Sequence, residues 1–301
     1  MSRWRYDNVR AMIAIPDRAM RNSVRASLSN RGLRNLGEAE DIMDIHAGLQ
    51  SGELDLLVTA PEVPGGDVSA MLQQMRHNRI GDNPFSIVMT LLEHPNQDLV
   101  RRVVDSGTDD LLLMPMLPIQ MVGRLDNFVS GRKQFVITHD YIGPDRRTSD
   151  RPGTQPAPRI DVPNPIRWQV VSNSDRASLK SMVRDASLRI NMHKMRRYSL
   201  QISYLSERII AGFFDGAELN ALQADAVALC TVAEDLIRRM QDTIYIHGLD
   251  LILSLNALAL KLTIKDRQPR QAEVEILPVL SRAIQRMFDD ADQRNSAQGA
   301  A

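Results

Sequence analysis

The stretch Asp55-Leu56-Leu57-Val58-Thr59-Ala60-Pro61-Glu62-Val63-Pro64-Gly65-Gly66-Asp67 decides the architecture of the first part of the chain. Leu56–Val58 is a compact apolar run, closed by Ala60-Pro61 and then by Pro64-Gly65-Gly66, and reads as a strand buried on both faces. Asp67 follows, where its carboxylate can accept the free amide hydrogens of a helix over Val68–Arg76. Outward from this unit the same alternation repeats. Ala11–Ile15 is an apolar run, followed by Arg18–Asn30 with Met20, Val24 and Leu28 at helical spacing and Gly32 as a stop. Leu33–Gly37 is a weaker strand and Ala39–Leu49 a helix. Phe85–Leu92 is the next run. Pro95 or Asn96 opens a helix to Ser106, ended by Gly107. Leu111–Met114 and the helix Pro118–Val129 complete the series. Strands alternating with helices predict an α/β fold, a five-stranded parallel, doubly wound sheet covered on both faces.

The chain has 301 residues, 43% hydrophobic and 25% charged, which excludes wholesale disorder and a disulfide-stapled miniprotein. Basic and acidic side chains balance at 37 each, so no whole-molecule field favours nucleic acid or an anionic membrane. Cys230 is the one cysteine, and the first residues carry no apolar core or small-residue cleavage site; a reducing cytoplasm is expected. Ile244–Ile264 is the most apolar stretch but contains His247, Asp250, Asn256 and Lys261. It is expected to be a buried helix, without membrane insertion.

Over 134–173 the texture changes. Six prolines (Pro144, Pro152, Pro156, Pro158, Pro163, Pro165) stand among Arg, Asp, Ser and Thr, which predicts an extended linker between a domain at 1–133 and another at 174–296. Phe135-Val136-Ile137 and Tyr141-Ile142 are apolar enough to pack on a neighbour. From Ser174 the pattern is helical. Ser174 or Asp175 caps a helix to about Gly212, in which Leu188, Met195, Ile202 and Ile209 recur every seven residues as a buried seam. Asp215 or Gly216 restarts a helix to about Asp242, Gly248 a third through Leu262, and Ala272–Ala291 is a fourth. The expectation is a separate all-α hairpin or bundle. The first helix carries eight basic against three acidic residues over Ser174–Ile210, the second six acidic against two basic over Phe214–Asp242. The two should pair antiparallel. Arg176, Lys180 and Arg184 form a stripe, read first as a solvated face, second as a partner-binding one and last as a nucleic-acid one, which the scarcity of interleaved aromatic residues disfavours.

Residues 1–133 resemble the receiver domain of bacterial response regulators. The resemblance is carried in order by Ala11–Ile15 with Pro16-Asp17, by Asp55–Ala60 with Pro64-Gly65-Gly66-Asp67, by Thr90, and by Gly107-Thr108-Asp109-Asp110-Leu111-Leu112-Leu113-Met114-Pro115. The family implies an aspartate that accepts a phosphoryl group, carboxylates that hold Mg²⁺, and a hydroxyl and a lysine that settle the charged oxygens. Here Ala60 stands at the acceptor position, Pro16 replaces one acid and leaves Asp17 alone, and Met114 replaces the lysine. Thr90 alone could still serve its family role within a site read as degenerate at Asp17, Ala60, Thr90 and Met114, and Glu62 is the nearest carboxylate to the acceptor position. The resemblance implies a degenerate receiver without phosphoryl chemistry, and therefore no enzyme, metal or cofactor. By the same resemblance, Asn96–Ser106 and Ile119–Val129 are candidate partner or dimer surfaces.

Asp140-Tyr141-Ile142-Gly143-Pro144-Asp145-Arg146-Arg147 resembles a Tyr-Ile-Gly-Pro-Asp-Arg-Arg segment that follows receiver-like domains in some alphaproteobacterial proteins. Arg146, Arg147 and Arg151 offer planar forks for carboxylate or phosphate. Arg147 and Arg151 also fit the arginine pair that opens the PilZ family, which implies cyclic di-GMP as an alternative ligand, although the strand pattern of that family does not follow. His193 and His247 are candidate phosphoryl carriers of a relay, without the usual neighbours. The six histidines show no paired ligand spacing and Cys230 is alone, so no zinc site is indicated. The reading is a signalling regulator or scaffold that binds protein partners, with a possible homo-oligomer through its helical part.

Overall fold

In the computed structural model the chain is described over residues 4–138, 140–147, 158–172, 175–241 and 243–298, without the side chains of 118 and 291–298. It divides into two compact units, Met1–Ile190 and Asn191–Ala301.

The first unit begins with β1 (Arg10–Ala14), α1 (Arg18–Arg31), β2 (Asn35–Glu38), α2 (Ile42–Gln50) and β3 (Leu56–Thr59). A short ladder of β4 (Glu62–Val63) and β5 (Gly66–Asp67) leads to α3 (Val68–Arg76), β6 (Ile87–Leu92), α4 (Gln97–Asp105), β7 (Asp110–Leu113) and α5 (Pro118–Ser130). The five long strands form one parallel sheet in the order β2-β1-β3-β6-β7. Counted on those strands alone this is the order 2-1-3-4-5 of doubly wound sheets, the α/β architecture expected from the sequence. β3 and β6 are buried at every position, as continuous apolar runs require when helices cover both faces. One face packs Ile13, Val58, Ile87 and Met89 against Val24, Leu28, Met121 and Leu125. The other packs Ala14, Leu57 and Val88 against Ile45, Leu49, Leu72 and Met75. The cap at Asp67 is as read from the sequence, with Oδ1 accepting from Ser69 N at 2.7 Å. Asn96 Oδ1 caps α4 through Leu99 N in the same way.

The described part of 134–173 is not an extended linker. β8 (Phe135–Ile137), β9 (Ile142–Pro144) and β10 (Arg159–Ile160) form an antiparallel sheet in the order β10-β8-β9, followed by α6 (Pro165–Val171). Pro144 is tolerated because it stands on an edge strand, where a missing amide donor breaks no ladder. The boundary expected at 173/174 also moves. The long helix α7 (Arg176–Phe214) starts within the first unit, where Leu179, Val183, Ala186 and Ile190 pack with Phe85, Phe135 and Ile142. Asp175 Oδ1 caps it through Ser178 N at 2.7 Å; Ser174, Arg151 and Asp242 lie outside the described residues. The stripe read as solvated or partner-binding is partly used within the unit: Arg176 pairs with Asp55 at 2.8 Å and Lys180 with Glu53 at 2.6 Å.

The second unit holds the rest of α7 with α8 (Leu219–Met240), a 3₁₀ segment at Ile244–Gly248, α9 (Leu249–Leu262), α10 (Gln271–Glu275) and α11 (Leu277–Gln298). The all-α expectation holds. Met195, Ile202 and Ile209 of the expected seam are buried, with Tyr198 and Leu205 between them, while Leu188 is exposed. α7 and α8 run antiparallel, since Arg208 pairs with Asp225 and Tyr198 with Asp235 while Arg239 donates to Asn191. The single helix expected over Ala272–Ala291 is broken at Ile276, two residues before Pro278, whose ring and missing N–H cannot continue a helix. α9 is only half buried: Ile252, Leu255, Ala259 and Leu262 enter the core, whereas Leu253 and Leu260 face outward. Ile244–Leu262 is long and apolar enough to cross a membrane by composition alone.

Candidate functional site

Parallel strands place all their carboxyl ends at one edge of the sheet, where ligands of doubly wound folds bind. Register brings three residues level there. Ala14 pairs with Thr59 and Thr59 with Thr90, so the next residues, Ile15, Ala60 and Leu91, form a row just beyond. They floor a cavity of about 540 Å³ whose other walls include Pro16, Met20, Pro61, Leu92 and Leu99. Asp17, Glu62, Glu93, His94, Asn96 and Arg102 stand at its rim.

Each position read from the sequence can now be placed. Ala60 lies at the edge, one residue beyond β3, and presents only a methyl group. Asp17 lines the cavity, but its Oδ1 accepts from Met20 N at 2.6 Å as the N-cap of α1. Glu62 binds Arg102 Nη2 at 2.7 Å, and Asp67 binds the same guanidinium at 3.4 Å. The Glu62 bond and the nearby acids push the Arg102 pKa up. Met114 packs on the apolar core beside β7 and does not line the cavity. Thr90 departs from expectation. It is buried and its hydroxyl bonds to Thr108 Oγ1 at 2.9 Å, one register step short of the row, so Leu91 stands level with Ala60 where a hydroxyl was expected. Among the described residues no group of three or more His, Cys, Asp or Glu is placed to hold a metal ion.

The opposite edge of the sheet carries a second cluster that sequence reading missed. Asp109 accepts from Arg76 Nη2 at 2.8 Å, Arg132 Nε at 2.9 Å and Val88 N at 2.9 Å. The Asp109 and Arg76 side chains are each 1% exposed. Both guanidiniums lie over the Phe135 ring, at 5.2 Å and 4.8 Å. Burial pulls the Arg76 pKa down, and Asp109 opposes it. The signal was the pairing of an acidic residue after Gly107 with arginines 33 and 23 positions away, which no local motif reveals.

The Tyr141–Arg147 segment closes this edge. Gly107 adopts φ +83°, and a Cβ there would meet Ile142 O at 2.8 Å; a Cβ on Gly143 would meet Gly107 Cα at 2.9 Å. The two backbones therefore touch only because both residues are glycine. Arg146 donates to the Thr108 carbonyl, and Tyr141 Oη to Pro144 O at 2.9 Å. Asp145 receives Arg159 Nε at 2.7 Å and Arg147 Nε at 3.2 Å. Burial raises its carboxyl, but these bonds bring it down to about 2. Arg146 and Arg147 are thus engaged within the unit, and Arg151 lies outside the described residues. His193 is exposed on α7 and His247 is exposed in the 3₁₀ segment.

The second unit has its own buried polar group. Tyr198 donates to Asp235, which also holds Arg239 Nε at 3.0 Å and Arg238. Lys194 is fully buried with its Nζ 5.5 Å from the Tyr198 ring centre. Burial opposes ionisation of Asp235, but Arg239, Tyr198 and Arg238 hold its carboxyl far below the usual range.

No protein-family model matches the sequence, and no curated protein matches it. Among solved structures, the receiver domain of the putative response regulator NarL from Mycobacterium tuberculosis is 19% identical, aligned over 42% of this chain and 99% of that one with a TM-score of 0.37. A response regulator from Thermotoga maritima is 19% identical over 41% and 99%, TM-score 0.36. An orphan response regulator of H. pylori is 12% identical over 40% and 96%, TM-score 0.35.

Proposed function

We infer that this chain is a signalling regulator or scaffold that works by binding protein partners, with no phosphoryl transfer at its receiver-type sheet. The observation that carries the reading is the level row Ile15–Ala60–Leu91. A phosphoryl acceptor must present an oxygen nucleophile at this edge, with a metal and a cation to neutralise the transferred group. The row presents a methyl group between two aliphatic side chains, and Asp17 is spent on a helix cap.

Partner contact is drawn to the neighbouring face. α4 buries only Val103, and Leu113, Leu117 and Ile119 are 58%, 64% and 70% exposed. Large apolar side chains grouped on a surface mark interaction sites.

Two measurements test the reading. Intact-mass analysis after incubation with acetyl phosphate and Mg²⁺ is expected to show no phosphoryl adduct; an adduct lost on mild base treatment, as an acyl phosphate is, would overturn it. Affinity capture from the native cell is expected to recover a partner that Leu117→Asp/Ile119→Asp no longer recovers. Recovery unchanged by both substitutions would move the contact off this face.

A further inference from the structure

The carboxyl-edge cavity has an apolar floor and an acidic rim, and the two features select a ligand together. Its volume of about 540 Å³ lies within the range of small-molecule sites, which are mostly apolar with a few polar groups that fix orientation. Ile15, Ala60 and Leu91 make the floor, with Met20 and Leu99 beside them. The rim carries three carboxylates, Asp17, Glu62 and Glu93, and one guanidinium, Arg102, which is already shared between Glu62 and Asp67. Among the described residues neither Asp17 nor Glu93 makes an ion pair. His94 is the remaining titratable group of the lining.

We propose that this cavity binds a small organic cation, an ammonium or amidinium carried on an apolar body. The body fills the space over Ile15, Ala60 and Leu91, and the cation faces Glu93 first and then the Oδ2 of Asp17, whose Oδ1 alone caps α1. A carboxylate or phosphate on the same body meets those two acids instead, with the nearby guanidinium already neutralised. The proposal rests on the reading that no phosphoryl group is accepted at this edge. It adds an input to that reading: occupancy by a diffusible ligand in the place where the resemblance implies covalent modification.

The test is methyl-detected NMR of the full chain, labelled at Ile, Leu and Met, titrated with 4-phenylbutylamine and with 4-phenylbutyrate. The amine is expected to give saturable shifts at Met20, Leu91 and Leu99, and the carboxylate to bind at least about five-fold more weakly, the effect of one charge pair about 4 Å apart in water. Glu93 is exposed, so Glu93→Gln keeps the fold; it is expected to weaken the amine a few-fold and leave the carboxylate unchanged. Ala60→Phe fills the floor and is expected to abolish both. The proposal is overturned if the amine gives no saturable shift at those methyls, if the carboxylate binds as well, or if Glu93→Gln changes nothing. A parallel titration with Mg²⁺ and beryllofluoride is read separately: shifts there would defeat the phosphoryl-free reading and leave the amine result to stand or fall on its own.

Discussion

Truncating Asp109 would leave Arg76 and Arg132 buried beside each other with no counter-charge. Asp109→Ala is therefore expected to destabilise the first unit by about 3–5 kcal/mol, the usual cost of breaking a buried pair from one side, measured by urea denaturation. Arg102→Ala, whose side chain is 43% exposed, is expected to cost under about 1 kcal/mol. Asp145 gives a pH signature. Its carboxyl titrates near 2 in the fold, below an unfolded value of about 3.9, so its contribution is complete above about pH 4 and is lost as the pH falls towards 2. Asp145→Asn should flatten stability across that window, read by denaturation midpoints at stepped pH. Single residues were also where the sequence was most and least readable. Ala60, Pro16 and Met114 carried the expectation of a degenerate site because their side chains offer neither a carboxylate nor an ammonium group. Thr90 misled because a strand residue faces the opposite way one step along. Asp109 was visible only as half of an acidic pair, since its partners are distant in sequence.

The β8–β9–β10 sheet depends on two glycines meeting. Gly143→Val is expected to push β9 off the Gly107 turn and cost about 1–3 kcal/mol by overpacking. Hydrogen exchange should rise in Phe135–Ile137 and Ile142–Pro144 first; unchanged protection there would refute the contact. Composition hid this sheet, because prolines at 134–173 argue for an extended chain and only the edge position of Pro144 reconciles them with strands. The helices of the second unit were legible because their apolar spacing is helical over many turns. The break before Pro278 was overlooked within that strong periodicity. α9 shows the opposite limit: uniform apolar character announced a buried helix, yet only one side of it finds a core, and Leu253 and Leu260 remain outside.

The molecule carries two compact units, each with a separate apolar core and a separate buried ionic group. Unfolding is therefore expected not to be two-state. Asp109→Ala should lower one thermal transition by calorimetry, and Asp235→Ala the other; a single transition lowered equally by both would contradict the division. Cys230 turns that expectation into a site-specific assay. It is the chain's one cysteine, 7% exposed within the core of the second unit, with its pKa raised by burial and then by Glu234. A thiol reagent can reach it only when those helices part, so the modification rate follows their opening free energy when reclosure is fast. Without any engineered label, the wild-type chain thus carries a chemical clock for one half of itself, and it should run faster with Asp235→Ala and keep its pace with Asp109→Ala.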